Sequence, residues 1–182
     1  GLGLIFVGMS YMSSSLDELM EIPAFSKLLV TMGQCPFIGV FAGLVVTAIT
    51  QSSTAVTSMA VAMGMNHAIT LEGAIGIILG ANIGSCITGF VASFGQARTA
   101  RQASIAQILI NVFGVFLFLP FIEQYTSLVA YTSNELPRQI ANAHTIFNVV
   151  CSALLVPFVK QIAQLSAWLT PVSRIPEKTK VT

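Results

Sequence analysis

Two stretches without a charged side chain, residues 73–93 and 104–122, decide what this chain can fold into. Each is long enough to cross a hydrocarbon layer of about 30 Å as a helix rising 1.5 Å per residue. Of 182 residues, 54% are hydrophobic and 8% charged, against about a quarter charged in a soluble domain. Such a composition cannot make a water-facing surface. The chain reads as an all-α integral membrane protein, a transmembrane helix bundle embedded in a lipid bilayer.

A formal net charge of +1 with no basic run argues against nucleic acid, which is gripped by clustered Lys and Arg. Cys35, Cys86 and Cys151 are odd in number and sit among apolar or small residues, so they read as packing residues. No basic segment precedes the first apolar stretch, so no signal peptide is read, and the start at Gly1 suggests further protein upstream.

Residues 1–170 read as one transmembrane unit and 171–182 as a polar tail. Residues 2–11 look like the remnant of a crossing, after which Ser13 to Ser15 and the acids Asp17 and Glu18 suggest the capped start of a short interfacial helix ending near Gly33. Residues 36–66 are apolar but carry Thr50, Gln51, Ser52, Ser53 and Thr54 at their centre. The two arms are short for a crossing and suit a re-entrant hairpin whose polar tip stops inside the membrane. Irregular backbone at that depth is tolerated only where protein or water surrounds it.

Residues 71–94 can span, yet Gly80, Asn82, Gly84, Ser85 and Gly89 fall in their middle, which predicts a broken helix. Crossings follow at 104–122 and 139–168, with a loop over 123–138, a kink at Pro157 and Trp168 as an interfacial anchor. Counting crossings gathers Arg98, Arg101, Arg174, Lys178 and Lys180 on one side. The positive-inside rule makes that side, with the Arg98 loop and the C-terminus, cytoplasmic, and the membrane is read as the plasma (inner) membrane.

Gln51, Ser52, Ser53 and Thr54 concentrate hydrogen-bonding groups where each unsatisfied one costs several kcal/mol. Oxygens at a broken helix can hold a hard cation such as Na+, and free N–H groups at a half-helix start can hold an anion. Candidate anion contacts are Gln51, Ser52, Ser53, Thr54, Asn82 and Ser85; candidate Na+ contacts are Thr50, Gln51, Ser52, Ser53, Asn82 and Thr88. The competing reading is that Ser and Thr serve as interhelical glue, and for the second cluster, around Asn82, it is close glycine packing. With no Lys or Arg at that depth, an anion would need a co-bound cation, and binding of the two would be reciprocal.

Ala106, Gln107, Asn111 and Val112 recur in type and spacing as Ala143, His144, Asn148 and Val149. Each polar pair shares a helix face that should point inward. His144 reads as a structural hydrogen bonder ahead of a proton relay. Ser53 and His144 could be imagined as nucleophile and base, but no third group orients the base, so the chain is not read as an enzyme and no organic cofactor is expected.

Taken in order, Gln51-Ser52-Ser53 after an apolar arm, Gly80-Ala81-Asn82-Ile83-Gly84 and Ala143-His144-Thr145-Ile146-Phe147-Asn148 resemble the type II sodium/phosphate cotransporters of bacteria and animals. The resemblance implies symport of phosphate with sodium by alternating access, through two inverted repeats that each give a Gln-Ser-Ser hairpin tip to a site near the midplane. Carried over by position, Gln51, Ser52 and Ser53 bind substrate and sodium, Thr54 adjoins them, and Asn82 and Ser85 belong to the facing broken helix. Thr54 stands where the family commonly has a third Ser, and Ser85 where it has Thr; both keep a hydroxyl. Only one Gln-Ser-Ser occurs, so the chain looks like one half, more like the second. The other repeat would come from further sequence or from a second chain, as in a homodimer. A non-transporting membrane subunit of the same fold, or a carrier of another small anion, is the alternative.

Overall fold

The computed structural model describes residues 2–170, which form helices and short connections. The tail at 171–182, with Arg174, Lys178 and Lys180, lies outside the described residues.

Helix α1 (Leu2–Met20) runs straight through the serines expected to begin a new helix. Ser14 donates its hydroxyl to the carbonyl of Ser10 one turn back, at 3.1 Å, so that side chain is spent within the helix instead of capping one. The interruption falls at Glu21 and Ile22, because Pro23 forces the residue before it out of the helical region; Ile22 has φ −82° and ψ 113°. The same device ends α2 (Pro23–Gln34) at Cys35 and opens α3 (Pro36–Thr50) with Pro36. Helix α4 (Ser53–Met65) follows after two residues.

Helix α5 (Leu71–Ala92) is an unbroken α-helix of 22 residues, which corrects the expected break. Its glycines are contact points. A side chain at Gly76 would meet the carbonyl of Pro36 at 2.8 Å and Gly39 Cα at 3.2 Å; one at Gly84 would meet the Leu44 carbonyl at 2.7 Å and Thr47 Cβ at 2.8 Å. One at Gly80 would overlap the Val40 carbonyl. The roughly 1 kcal/mol that each glycine costs a solitary helix is offset by backbone packing that no larger residue permits. Contacts rise in step along both helices, Gly39 against Gly76, Val40 and Leu44 against Gly80, Thr47 against Gly84. Helices α3 and α5 therefore run parallel, and α4 brings the chain back between them.

Helix α6 (Arg98–Phe118) passes through a 3₁₀ turn (Leu119–Phe121) into α7 (Ile122–Ala130). The crossing expected to stop at 122 thus continues, and the loop expected over 123–138 shrinks to residues 131–135. Helix α8 (Leu136–Leu155) passes through a second 3₁₀ turn (Val156–Phe158), which contains Pro157, into α9 (Val159–Leu169). Among the described residues, three helical stretches are long and apolar enough to cross a membrane: Leu71–Ala92, Arg98–Ala130 and Leu136–Leu169. The first is the buried axis of the bundle. The other two turn large side chains such as Phe116, Val149 and Trp168 outward, a surface that only lipid or another apolar partner accommodates. Arg98 reaches the carbonyls of Ala167 and Thr170 at 3.4 and 3.5 Å, so the start of α6 and the end of α9 share one end of the bundle.

Phe118 ties the peripheral helices together, edge-on to Phe147 and to Tyr125 at centroid distances of 5.1 and 4.8 Å. Buried Tyr125 donates its hydroxyl to the Ala143 carbonyl on α8. Tyr125→Phe should keep the ring packing and forfeit the bond, lowering stability by about 1 kcal/mol; thermal unfolding in detergent reads the difference.

Candidate functional site

The tip between α3 and α4 is two residues. Gln51 adopts a left-handed conformation, φ 56° and ψ 23°, and its N–H donates to the Thr47 carbonyl at 2.7 Å, closing α3. Ser52 is extended, φ −141°, and its Oγ accepts from the Ala55 N–H at 3.2 Å, opening α4. One helix thus ends and another begins around adjacent residues. Carbonyls of α3 are released on one side and first-turn N–H groups of α4 on the other. Gln51 and Thr54 are exposed and Ser52 and Ser53 half-buried, while Thr50 returns its hydroxyl to the Val46 carbonyl at 2.9 Å.

Beneath the tip lie hydroxyls with no partner. The Oγ1 atoms of Thr47 and Thr57 are buried and make no hydrogen bond, as is that of Thr88 on α5. Thr47 packs on Gly84, and Thr88 lies one turn beyond Gly84, so the tip sits beside the C-terminal third of α5. A buried hydroxyl left unpaired costs about 1–3 kcal/mol; Thr126 on α7 is in the same state, but Thr47 and Thr57 each lie one helical turn from the tip. Thr47 and Thr57 are additions to the expected set. Their signal was present as threonines one helical turn either side of Gln51-Ser52-Ser53, but periodicity alone does not say which hydroxyls go unpaired.

The structure does not gather every expected residue. Asn82 is buried and donates its amide to the Ile78 carbonyl at 2.8 Å, and Ser85 donates to the Asn82 carbonyl at 2.9 Å. At about 100° per residue, Asn82 stands roughly 200° around α5 from Gly80, away from α3, whereas Thr88 is roughly 80° around. An unbroken α5 thus offers Thr88 to the tip more directly than Asn82. Among the repeated positions, Asn111 donates to the Gln107 carbonyl at 3.0 Å and Asn148 to the His144 carbonyl at 2.8 Å. These side chains engage their own helices in matching fashion. The echo runs on at the same offset of 37 through Gly114 and Cys151, which touch, to Pro120 and Pro157 in the two 3₁₀ turns.

Residues 4–155 match the family described as Na+/Pi-cotransporter. The uncharacterized protein YqeW of Bacillus subtilis is 31% identical over 142 residues, 78% of this chain and 46% of that protein. Sodium-dependent phosphate transport protein 2B of Homo sapiens is 34% identical over 91 residues, 47% of this chain and 13% of the relative. Protein 2A of Oryctolagus cuniculus is 30% identical over 111 residues, 54% of this chain and 17% of the relative. The chain thus spans less than half the length of these relatives. No solved structure matches it.

Proposed function

Because this chain belongs to the Na+/Pi-cotransporter family, we propose that it forms one half of a sodium-coupled phosphate symporter, with the α3–α4 tip as its share of the binding site. The observation that carries the reading is the set of buried, unpartnered hydroxyls of Thr47, Thr57 and Thr88 around a two-residue junction of helices. Unpaired oxygens near hydrocarbon suit a hard cation, and the open first turn of α4 suits an anion. Phosphate is assigned to Gln51, Ser52, Ser53 and Thr54, with Ser85 nearby, and sodium to the threonine hydroxyls and the carbonyls released at Gln51. Asn82 acts through α5 instead of as a direct ligand. The bound cation supplies the positive charge that phosphate requires, so each ligand raises affinity for the other by the same factor.

Gln51 and Thr54 face outward from this half, where a second tip from the rest of the transporter or from another copy would complete the site. The end of the bundle holding Arg98 is assigned to the cytoplasm. The test is uptake of radiolabelled phosphate by the full-length transporter in proteoliposomes, with and without a sodium gradient. Uptake indifferent to sodium sinks the coupling, and an absence of uptake favours a non-transporting subunit. Within the same assay Thr88→Val should raise the half-saturating sodium concentration about tenfold, since an oxygen bonded to a charged group is worth about 1.5 kcal/mol. Thr88→Ser should leave it near the parent value.

A further inference from the structure

At the end of the bundle opposite Arg98, a groove of about 710 Å³ opens between α1, α4 and α8. Its wall is mostly apolar, with Phe6, Met9, Val61 and Met65 beside the polar Ser10 and Asn66, and its lining includes the charged Glu135 and Arg138. A second hollow of about 330 Å³ shares Met65, Glu135 and Pro137 with it and adds the polar residues His67 and Asn134. An oily trough therefore continues into a polar shelf, with one acid and one base at the junction.

Helix α8 begins at this junction. Its N-cap, Glu135, makes no side-chain cap bond, and Pro follows at the start of the first turn. Glu135 and Arg138 are exposed, and no hydrogen bond or ion pair among the described residues engages either charged end. The guanidinium and the uncapped first turn favour a phosphate, while the carboxylate disfavours an ion that is only negative. A head group with phosphate and ammonium side by side satisfies both.

We propose that this groove holds a zwitterionic phospholipid of the ethanolamine type, its acyl chain along Phe6, Met9, Val61 and Met65, its phosphate at Arg138 and its ammonium at Glu135. The trough takes the chain for the usual apolar reason, and the charge pair selects the head group. The site is separate from the α3–α4 tip, lying at the far end of α4, so it does not depend on phosphate transport.

Native mass spectrometry of the full-length protein, delipidated and titrated with palmitoyl-oleoyl phosphatidylethanolamine or phosphatidylglycerol, tests it. Phosphatidylethanolamine should bind several-fold more tightly than phosphatidylglycerol. Glu135→Gln should erase that preference, Arg138→Gln should weaken both lipids several-fold, and Ala141→Trp, which fills the trough, should remove retained lipid. Glycerophosphoethanolamine, a head group without chains, should not bind. The proposal is overturned if phosphatidylglycerol binds equally well to the parent, or if variants with parental thermal unfolding retain lipid unchanged. It also fails if cysteines placed at Phe6 and Ala141 crosslink to another protein segment, which would show that polypeptide fills the groove.

Discussion

Gln51→Gly will make the protein more stable and abolish sodium-driven phosphate uptake. The residue closing α3 sits at φ 56°, a region glycine enters freely and other residues occupy at a cost of about 1–3 kcal/mol. Helices commonly end on glycine at such a position, and the N–H bond to Thr47 survives the change. Glycine should therefore raise stability by about 1 kcal/mol. A glutamine kept at that cost is retained for its amide, which the proposed function places against phosphate. In saturating sodium, phosphate at about a hundred times its dissociation constant should stabilise the parent by about 2.7 kcal/mol and Gln51→Gly far less, read as a phosphate-dependent shift in unfolding temperature. Gln51→Ala keeps the strained backbone and loses the amide, so it should be equally inactive without the gain in stability. Parental uptake by both variants would dismiss the tip as the site.

Gly80→Val should leave little folded protein. The side chain would be driven into the Val40 carbonyl and the Leu44 N–H, backbone groups of a neighbouring helix that no rotamer change can move aside. Overpacking in a rigid core costs about 1–3 kcal/mol, and more where backbone must shift, so a loss of 3 kcal/mol or greater is expected. Gly89→Val, at a position where an added Cβ would meet only the end of Gln107 at 3.5 Å, is the control and should fold normally. Size-exclusion profiles after detergent extraction distinguish them, and a monodisperse Gly80→Val protein would refute the interlocked packing of α3 on α5.

The long apolar helices, the two-residue break at Gln51 and Ser52 and the interruption of the last helix at Pro157 were legible because charge, length and proline act locally. The glycines of α5 misled because their local effect, weakening a helix, is opposite to their tertiary one, and only the presence of α3 reveals which prevails. Polar residues Glu123, Gln124 and Ser127 made α7 look like a loop, although a helix tolerates them on its exposed face. Ser13 to Ser15 looked like a cap because serine hydroxyls favour helix starts, yet Ser14 could turn back on Ser10. At the site, the tip residues stood out as a polar island, whereas the unpaired state of Thr47, Thr57 and Thr88 is a property of packing. The side of α5 on which Asn82 stands has the same source as the missing break: a continuous helix fixes its azimuth.

The parallel run of α3 beside α5 has a mechanical corollary. Notches that seat Gly39, Val40, Leu44 and Thr47 against α5 at successive turns act as a ratchet, and sliding one helix along the other would require every tooth to climb at once. The tip and α5 are thereby geared together, so any stroke delivered to one is delivered undiminished to the other, and compliance must reside in the looser seams with α1 and the outer pair of rods.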